Sequence, residues 1–283
     1  MGKANKVKEE LLDVKEMVEL VQTLKDIADN KLFTLMNEKN KFRRFGQTFV
    51  EFFRMISLTE EKHPMIENDN KKVGILAVTI EGSFLGEFNN KILRAAIEEK
   101  DKHEDVKFIA VGNKAELRLK EIDPNIRAFN NMESIGIYET VVMVKDYLVD
   151  EIMNDRLGKV MVVYAWPKSF DTQLRKVVQV LPCVDLLKKQ QQFVDIFDEV
   201  LEESDPMQVI GILTNLWVST RLYEIFIDTI IASASAQSSF LEDSVDKMKK
   251  ERTKVGMKYI KAKKGDIDKS LRETFSARMM TMK

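Results

Sequence analysis

Two stretches of the chain place apolar side chains at every seventh position. In the later one the rungs are Leu213, Thr220, Ile227, Ala234, Leu241, Met248, Val255 and Ala262, and Trp217, Ile231, Val245 and Tyr259 stand four residues after alternate rungs. A seven-residue repeat held this long predicts a coiled-coil seam rather than the single face of a globular helix. Ser204 and Asp205 can cap, Pro206 suits a first helical turn, and no proline follows, so one helix is expected over 205–283. About 75 helical residues would span on the order of 110 Å.

The earlier ladder runs through Val14, Val21, Ala28, Leu35, Phe42, Phe49 and Ile56 and predicts a helix over 6–56. Its companion positions are expected at Met17, Leu24, Lys31, Glu38, Phe45 and Phe52, with Leu32 covering the gap where the seam turns charged. Two long heptad helices at opposite ends of one chain most simply pair antiparallel. That pairing brings Phe42, Phe45, Phe49 and Phe52 to Trp217, Tyr223, Ile225 and Phe226. It also sets the small residues of 232–239 against the charged middle of the first helix.

Between the ladders the period changes. Strands are expected at 72–80, 106–111, 159–166 and 174–181, and helices at 89–100, 113–121 and 133–154, a strand and helix alternation that indicates a small, Rossmann-like α/β domain with a largely parallel sheet. The fold class is therefore an α/β domain inserted into a long antiparallel α-helical coiled coil. Its divisions are a first shaft helix (1–60), the α/β domain (72–185), a connector (186–204) and a second shaft helix (205–283).

Charge and composition narrow the possibilities. Lys and Arg number 45 against 46 Asp and Glu, which argues against a general nucleic-acid binder. The single Cys183 excludes an internal disulfide and suits a reducing compartment. With no run of eighteen apolar residues and no signal-like start, a soluble cytoplasmic chain is expected. The end of the second helix is basic, carrying Lys263, Lys264, Lys269, Arg272 and Arg278, with Leu271, Phe275, Met279 and Met280 on its apolar side. Such a tail can fray into solvent, lie on a membrane surface or insert into another protein; insertion is the favoured reading, because Asp266, Asp268 and Glu273 interrupt the basic face.

Catalytic chemistry finds little support. The strand-turn-helix junction Glu81-Gly-Ser-Phe-Leu-Gly-Glu-Phe-Asn89 is the best phosphate-cradle candidate, yet Gly82 and Gly86 lack the dinucleotide spacing and no Gly-Lys-Ser/Thr follows. His63 and His103 lie in polar linkers without metal-ligand spacing and are expected at the surface. Cys183 is expected to be a buried small apolar residue. Acid pairs such as Glu98-Glu99 and Glu202-Glu203 are expected to be solvated. Neither a catalytic set nor a cofactor or metal site is predicted.

Three local patterns then carry a resemblance. Thr23-Leu-Lys-Asp-Ile-Ala-Asp-Asn-Lys-Leu32 reproduces Lys25, Ala28, Lys31 and Leu32 of a first-helix motif; Glu81, Phe84, Gly86, Phe88 and Asn89 follow a turn motif; and Arg221-Leu-Tyr-Glu224, the Ala/Ser-rich run and the basic stretch 261–278 follow a closing-helix motif. Together they resemble the γ subunit of F-type rotary ATPases, the central rotor shaft, in a divergent branch. Asp26 and Asp29 stand where that family is usually basic, Ser83 where it has glycine, and Leu85 where it commonly has cysteine.

The resemblance implies a non-catalytic subunit inside a ring of three catalytic and three non-catalytic ATPase subunits. A small rotor-base subunit and a membrane rotor ring would be further partners, and the complex would lie on the cytoplasmic membrane. It further implies that Lys25 and Lys31, with Lys254 and Lys258 on the facing helix, meet acidic levers of catalytic subunits, while Leu271, Arg272, Phe275, Met279 and Met280 ride in an apolar bearing. Three alternatives stay open: a γ-like shaft of a duplicated ATPase driving surface machinery or membrane export, an α/β ligand-sensing domain that signals through a coiled-coil stalk, and a purely structural coiled-coil adaptor.

Overall fold

The computed structural model describes residues 3–54, 63–130, 136–169, 172–183 and 205–281, and their side chains other than those of 38, 40–54, 206 and 281. The elements in chain order are α1 (Lys3–Arg54), β1 (Val73–Val78), α2 (Phe88–Lys100), β2 (Val106–Val111), α3 (Asn113–Lys120), β3 (Arg127–Phe129), α4 (Ile137–Met153), β4 (Lys159–Pro167), β5 (Gln173–Leu181) and α5 (Pro206–Thr281). The expected contact of Phe42, Phe45, Phe49 and Phe52 with α5, the connector at 190–201 and Glu202-Glu203 lie outside the described residues or side chains.

Chain contacts group into two compact units, Lys31–Gln237 and Met1–Asn30 with Ser238–Lys283. The larger unit holds a five-stranded sheet in the order β3-β2-β1-β4-β5. The pairs β1–β2, β1–β4 and β2–β3 are parallel, and only β5 runs antiparallel to its neighbour β4. All six residues of β1 are buried, as a central parallel strand covered on both faces requires. Close packing also fixes Gly158: a Cβ there would stand 1.7 Å from the Asn70 carbonyl oxygen. The sheet shares one apolar core with Leu32 and Leu35 of α1 and with Leu213, Val218, Leu222, Ile225, Phe226 and Ile230 of α5. Strand β3 was not anticipated. Three residues, the first of them Arg127, give too short a pattern to stand out.

The smaller unit is the antiparallel helix pair that the two ladders predict. The Ala4 N–H donates to the Asp266 carboxylate at 3.1 Å, and the Ser238 hydroxyl donates to the Asp29 carboxylate. On α5 the ladder holds: Leu241, Val245 and Val255 are buried, and Met248, Tyr259, Ala262 and Asp266 are half-buried.

On α1 the rungs Val14, Val21, Ala28 and Leu35 hold, those at Phe42, Phe49 and Ile56 and the companions Glu38, Phe45 and Phe52 lie outside the described side chains, and the earlier companions are corrected. Val14 and Val21 are half-buried and Ala28 and Leu35 buried, and the positions between them that face inward are Val18, Lys25 and Leu32; of the expected companions Met17 and Lys31 are exposed and Leu24 is half-buried beside Lys25. Met17 is 53% exposed, while Val18 is 6%. The seam thus steps by four and then three residues, and the sequence reading had merged it with a neighbouring apolar stripe.

Candidate functional site

Lys25 occupies a core position of the helix pair, where an aliphatic residue is the usual occupant. Its ammonium lies 2.8 Å from the Asp29 carboxylate, one turn further along α1. That hydrogen bond raises the Lys25 pKa, with burial opposing it and the charges of Asp29 and Glu242 adding to it. Burial alone would lift Asp29, but the hydrogen bonds from Lys25 and Ser238 outweigh it and hold the carboxyl below its ordinary value. Ser238 is fully buried. The small residue leaves room for the polar layer, which answers why the Ala/Ser run faces the charged part of α1.

Lys31 lies in the larger unit and is exposed. With Glu81, Ser83, Leu85, Ser233 and Gln237 it lines a cavity of about 390 Å3 beside the turn between β1 and α2. The turn's own polar groups serve the fold. The Ile80 N–H donates to Asn89 Oδ1 at 3.1 Å, and Asn89 Nδ2 returns a bond to the Ile80 carbonyl at 2.8 Å. Glu81 accepts from the Asn113 N–H at the start of α3, and Gln237 donates to the Ser83 carbonyl at 3.3 Å. Gly86 has φ 52° and Phe84 φ 61°, the left-handed region that a tight reversal needs. The arrangement is that of a braced turn. Nothing in it favours a phosphate over the bonds already made.

Lys254 and Lys258 are exposed on α5, Lys254 within 3.3 Å of Glu251. The residue of α5 whose charge acts on Lys25 is Glu242. Lys254 and Lys258 lie twelve and sixteen residues beyond it, on the order of 18–24 Å along the helix. The structure therefore does not gather these lysines with Lys25 into one site. From Ile267 to Met280 every residue of α5 is exposed, including Leu271 (53%), Arg272, Phe275 (69%), Met279 (75%) and Met280 (81%). Leu271, Phe275 and Met279 follow at four-residue spacing, so they share one side of the helix.

Several expectations are corrected. His63 is buried, not at the surface; its Nδ1 accepts from the Met65 N–H at 3.2 Å, and burial lowers its pKa. His103 is half-buried and lies 3.2 Å from Glu99. Glu99 is itself buried, and burial would raise its pKa, but its bonds to Lys102 and His103 hold it low. Cys183 is buried, as expected.

Sequence reasoning missed a polar cluster between α5, α1 and the sheet. Lys39 pairs with Asp228, which is 8% exposed and whose carboxyl burial pushes up despite that partner. Arg221 and Glu224 pair at 2.8 Å, Lys176 stands 3.4 Å over the Trp166 ring, and the buried Tyr164 hydroxyl is pushed up to about 12 by desolvation. The available signal was Asp228 itself, a lone acid inside the largely apolar run Ile225-Phe-Ile-Asp-Thr-Ile-Ile231. Among the described residues no three His, Cys, Asp or Glu gather as a metal site, and no helix is long and apolar enough to cross a membrane.

Comparison with known proteins agrees with this geometry. The ATP synthase family profile matches residues 3–278. Among curated relatives, the ATP synthase gamma chain of Halothermothrix orenii is 21% identical over 272 residues, covering 94% of this chain and 95% of its own. That of Actinobacillus pleuropneumoniae is 21% identical over 281 residues, covering 96% and 97%. The rotor of the Euglena gracilis mitochondrial ATP synthase shares the fold with a TM-score of 0.61 at 14% identity, covering 93% of this chain and 98% of that one. With a matching profile along nearly its whole length, two long helices around a small α/β sheet and γ chains as its relatives, the chain belongs to the ATP synthase family as a non-catalytic, γ-type central-stalk subunit.

Proposed function

We propose that this chain is the central rotor shaft of an F-type rotary ATPase, turned by ATP chemistry in partner subunits. The observation that carries the reading is the last part of α5, where Leu271, Phe275, Met279 and Met280 stay exposed on an intact helix. Large apolar side chains held in water on a regular helix point to a surrounding protein surface. Its contacts are apolar and short, and they can slide where bidentate salt bridges would hold.

In this reading the tip, with Arg272, turns in an apolar bearing formed by a ring of three catalytic and three non-catalytic subunits. Lys31, Lys254 and Lys258 meet acidic surfaces of the catalytic subunits, whereas Lys25, which the resemblance set beside them, is engaged in the seam by Asp29. A shaft biases those subunits only through contacts that differ among them, since equal contacts shift no equilibrium. The α/β unit stands against a small rotor-base subunit and a membrane rotor ring, which ties the cytoplasmic complex to the membrane and couples rotation to proton or sodium transport.

Purification from cells tests the reading: one copy of this chain is expected per three catalytic subunits. Truncation from Lys269 onward should leave assembly largely intact and reduce torque or coupling. A chain that purifies without ATPase subunits, or that hydrolyses nucleotide alone, would overturn it.

A further inference from the structure

The apolar ladders alone do not fix how far α1 lies along α5. Moving one helix seven residues past the other again sets rung against rung. The middle of α5 opposes such a slip weakly, because the buried Ala232, Ser233, Ala234 and Ser235 are small and interlock little along the axis.

Polar pairs carry the missing information. In the larger unit Lys39 of α1 pairs with the buried Asp228 of α5. In the smaller unit Asp29 of α1 accepts a hydrogen bond from the buried Ser238 of α5. Lys39 and Asp29 are ten residues apart, and so are Asp228 and Ser238. Both pairs therefore report the same antiparallel register. Lys25 continues it: it precedes Asp29 by four residues, and Glu242, whose charge acts on it, follows Ser238 by four.

A slip of seven residues one way would set Asp228 against Leu32 and Ser238 against Gln22; the other way, against Gly46 and Met36. Either slip leaves a buried carboxylate without its cation, a costly mismatch. Burial pushes the Asp228 carboxyl up despite Lys39, so the pair is kept against a desolvation cost. Strength is a poor reason for such a pair, and alignment is a better one.

We propose that Lys39–Asp228 and Asp29–Ser238 select the register of the two shaft helices, excluding heptad slips that the apolar ladders would accept. Selection works by penalising the wrong alignments more than by strengthening the right one. The inference goes beyond the rotor reading and needs only the helix pair, whichever machine the shaft serves.

Spin labels test it on the full chain carrying Cys183→Ser. Glu9→Cys and Asp243→Cys place them at exposed positions, separated in the native register by about 22 Å along the helix axis. Double electron–electron resonance should give a single distance. Replacing both pairs together (Lys39→Leu, Asp228→Leu, Asp29→Ala and Ser238→Ala) should add a population displaced by about 10 Å, the length of one heptad, with a cooperative thermal melt retained. Exchanging the charges, Lys39→Asp with Asp228→Lys, should keep the single native distance, whereas Lys39→Asp alone should displace or broaden it. An apolar chain that keeps the single native distance overturns the proposal. So does one that loses its cooperative melt, since the pairs would then be supports and not selectors. An unchanged distance in Lys39→Asp alone, or a displaced one in the exchanged chain, overturns it as well.

Discussion

Two stretches of α5, one in its first half and one at its C-terminal end, stand at opposite extremes of burial. From Ile225 to Ser235 every residue except Ile227 is buried, including the acid Asp228; from Ile267 to Met280 every residue is exposed, including Leu271, Phe275 and Met279. Both stretches are regular α-helix with large apolar side chains. Backbone regularity therefore says little about support. The first stretch is held by the sheet and α1, whereas the second is held by its own hydrogen bonds and awaits a surface from elsewhere. Isolated helices of that length are marginal in water, so the tip's order in solution depends on what surrounds it.

Substitutions sharpen this contrast. Phe226→Ala should destabilise the chain by about 3–5 kcal/mol in denaturant unfolding, because the side chain is fully buried, whereas Phe275→Ala should stay within about 0.5 kcal/mol. A large loss from Phe275→Ala in the isolated chain would mean the tip is supported after all. Glu151→Gln should cost about 2–3 kcal/mol near neutral pH, since the buried carboxylate takes Lys107 and Arg156, each at 2.7 Å. Burial would raise its pKa, yet those bonds hold it below the ordinary value, so the unfolded chain binds the extra proton. The stabilisation is complete above the ordinary carboxyl range, about pH 4.3, and disappears as pH falls through the folded value; in acid, wild type and Glu151→Gln should unfold alike.

Asn89→Ala should cost about 1–2 kcal/mol by leaving the backbone of Ile80 without its partners. In the helix pair, Ser238→Ala should cost about 1 kcal/mol, measured by thermal melting. A larger effect there than for Asn89→Ala would place the polar layer, not the sheet, as the firmer support.

Much of this was legible in the chain. Heptads persist because a seam repeats the same environment at every turn, and so α5 from Leu241 to Ala262 could be read directly. The α1 companions could not, because Met17 and Val18 are both apolar and only an observed partner separates a filled stripe from an empty one. His63 and Glu99 misled because local polarity is a poor guide to burial; each is enclosed by residues distant in sequence or by its own hydrogen-bond partners. Lys25 and Lys31 were found through the first-helix pattern, but not their different settings: one is drawn into the seam by Asp29 and Ser238, the other stands at the mouth of a cavity.

The ends of β1 and β2 are joined by more than the sheet. Thr79 Oγ1 donates to the Val111 carbonyl at 2.8 Å and accepts from the Ala115 N–H at 3.1 Å, while Gly112, at φ 91°, comes so near that a Cβ would lie 2.7 Å from the same hydroxyl. With Asn89 fastening the next residue to α2 and Glu81 reaching Asn113, the strand end, two helix starts and the turn behave as a single solid joint. A load applied to Ser83 or Gln237 would spread into the sheet instead of bending the loop, as a gear tooth passes force to its hub.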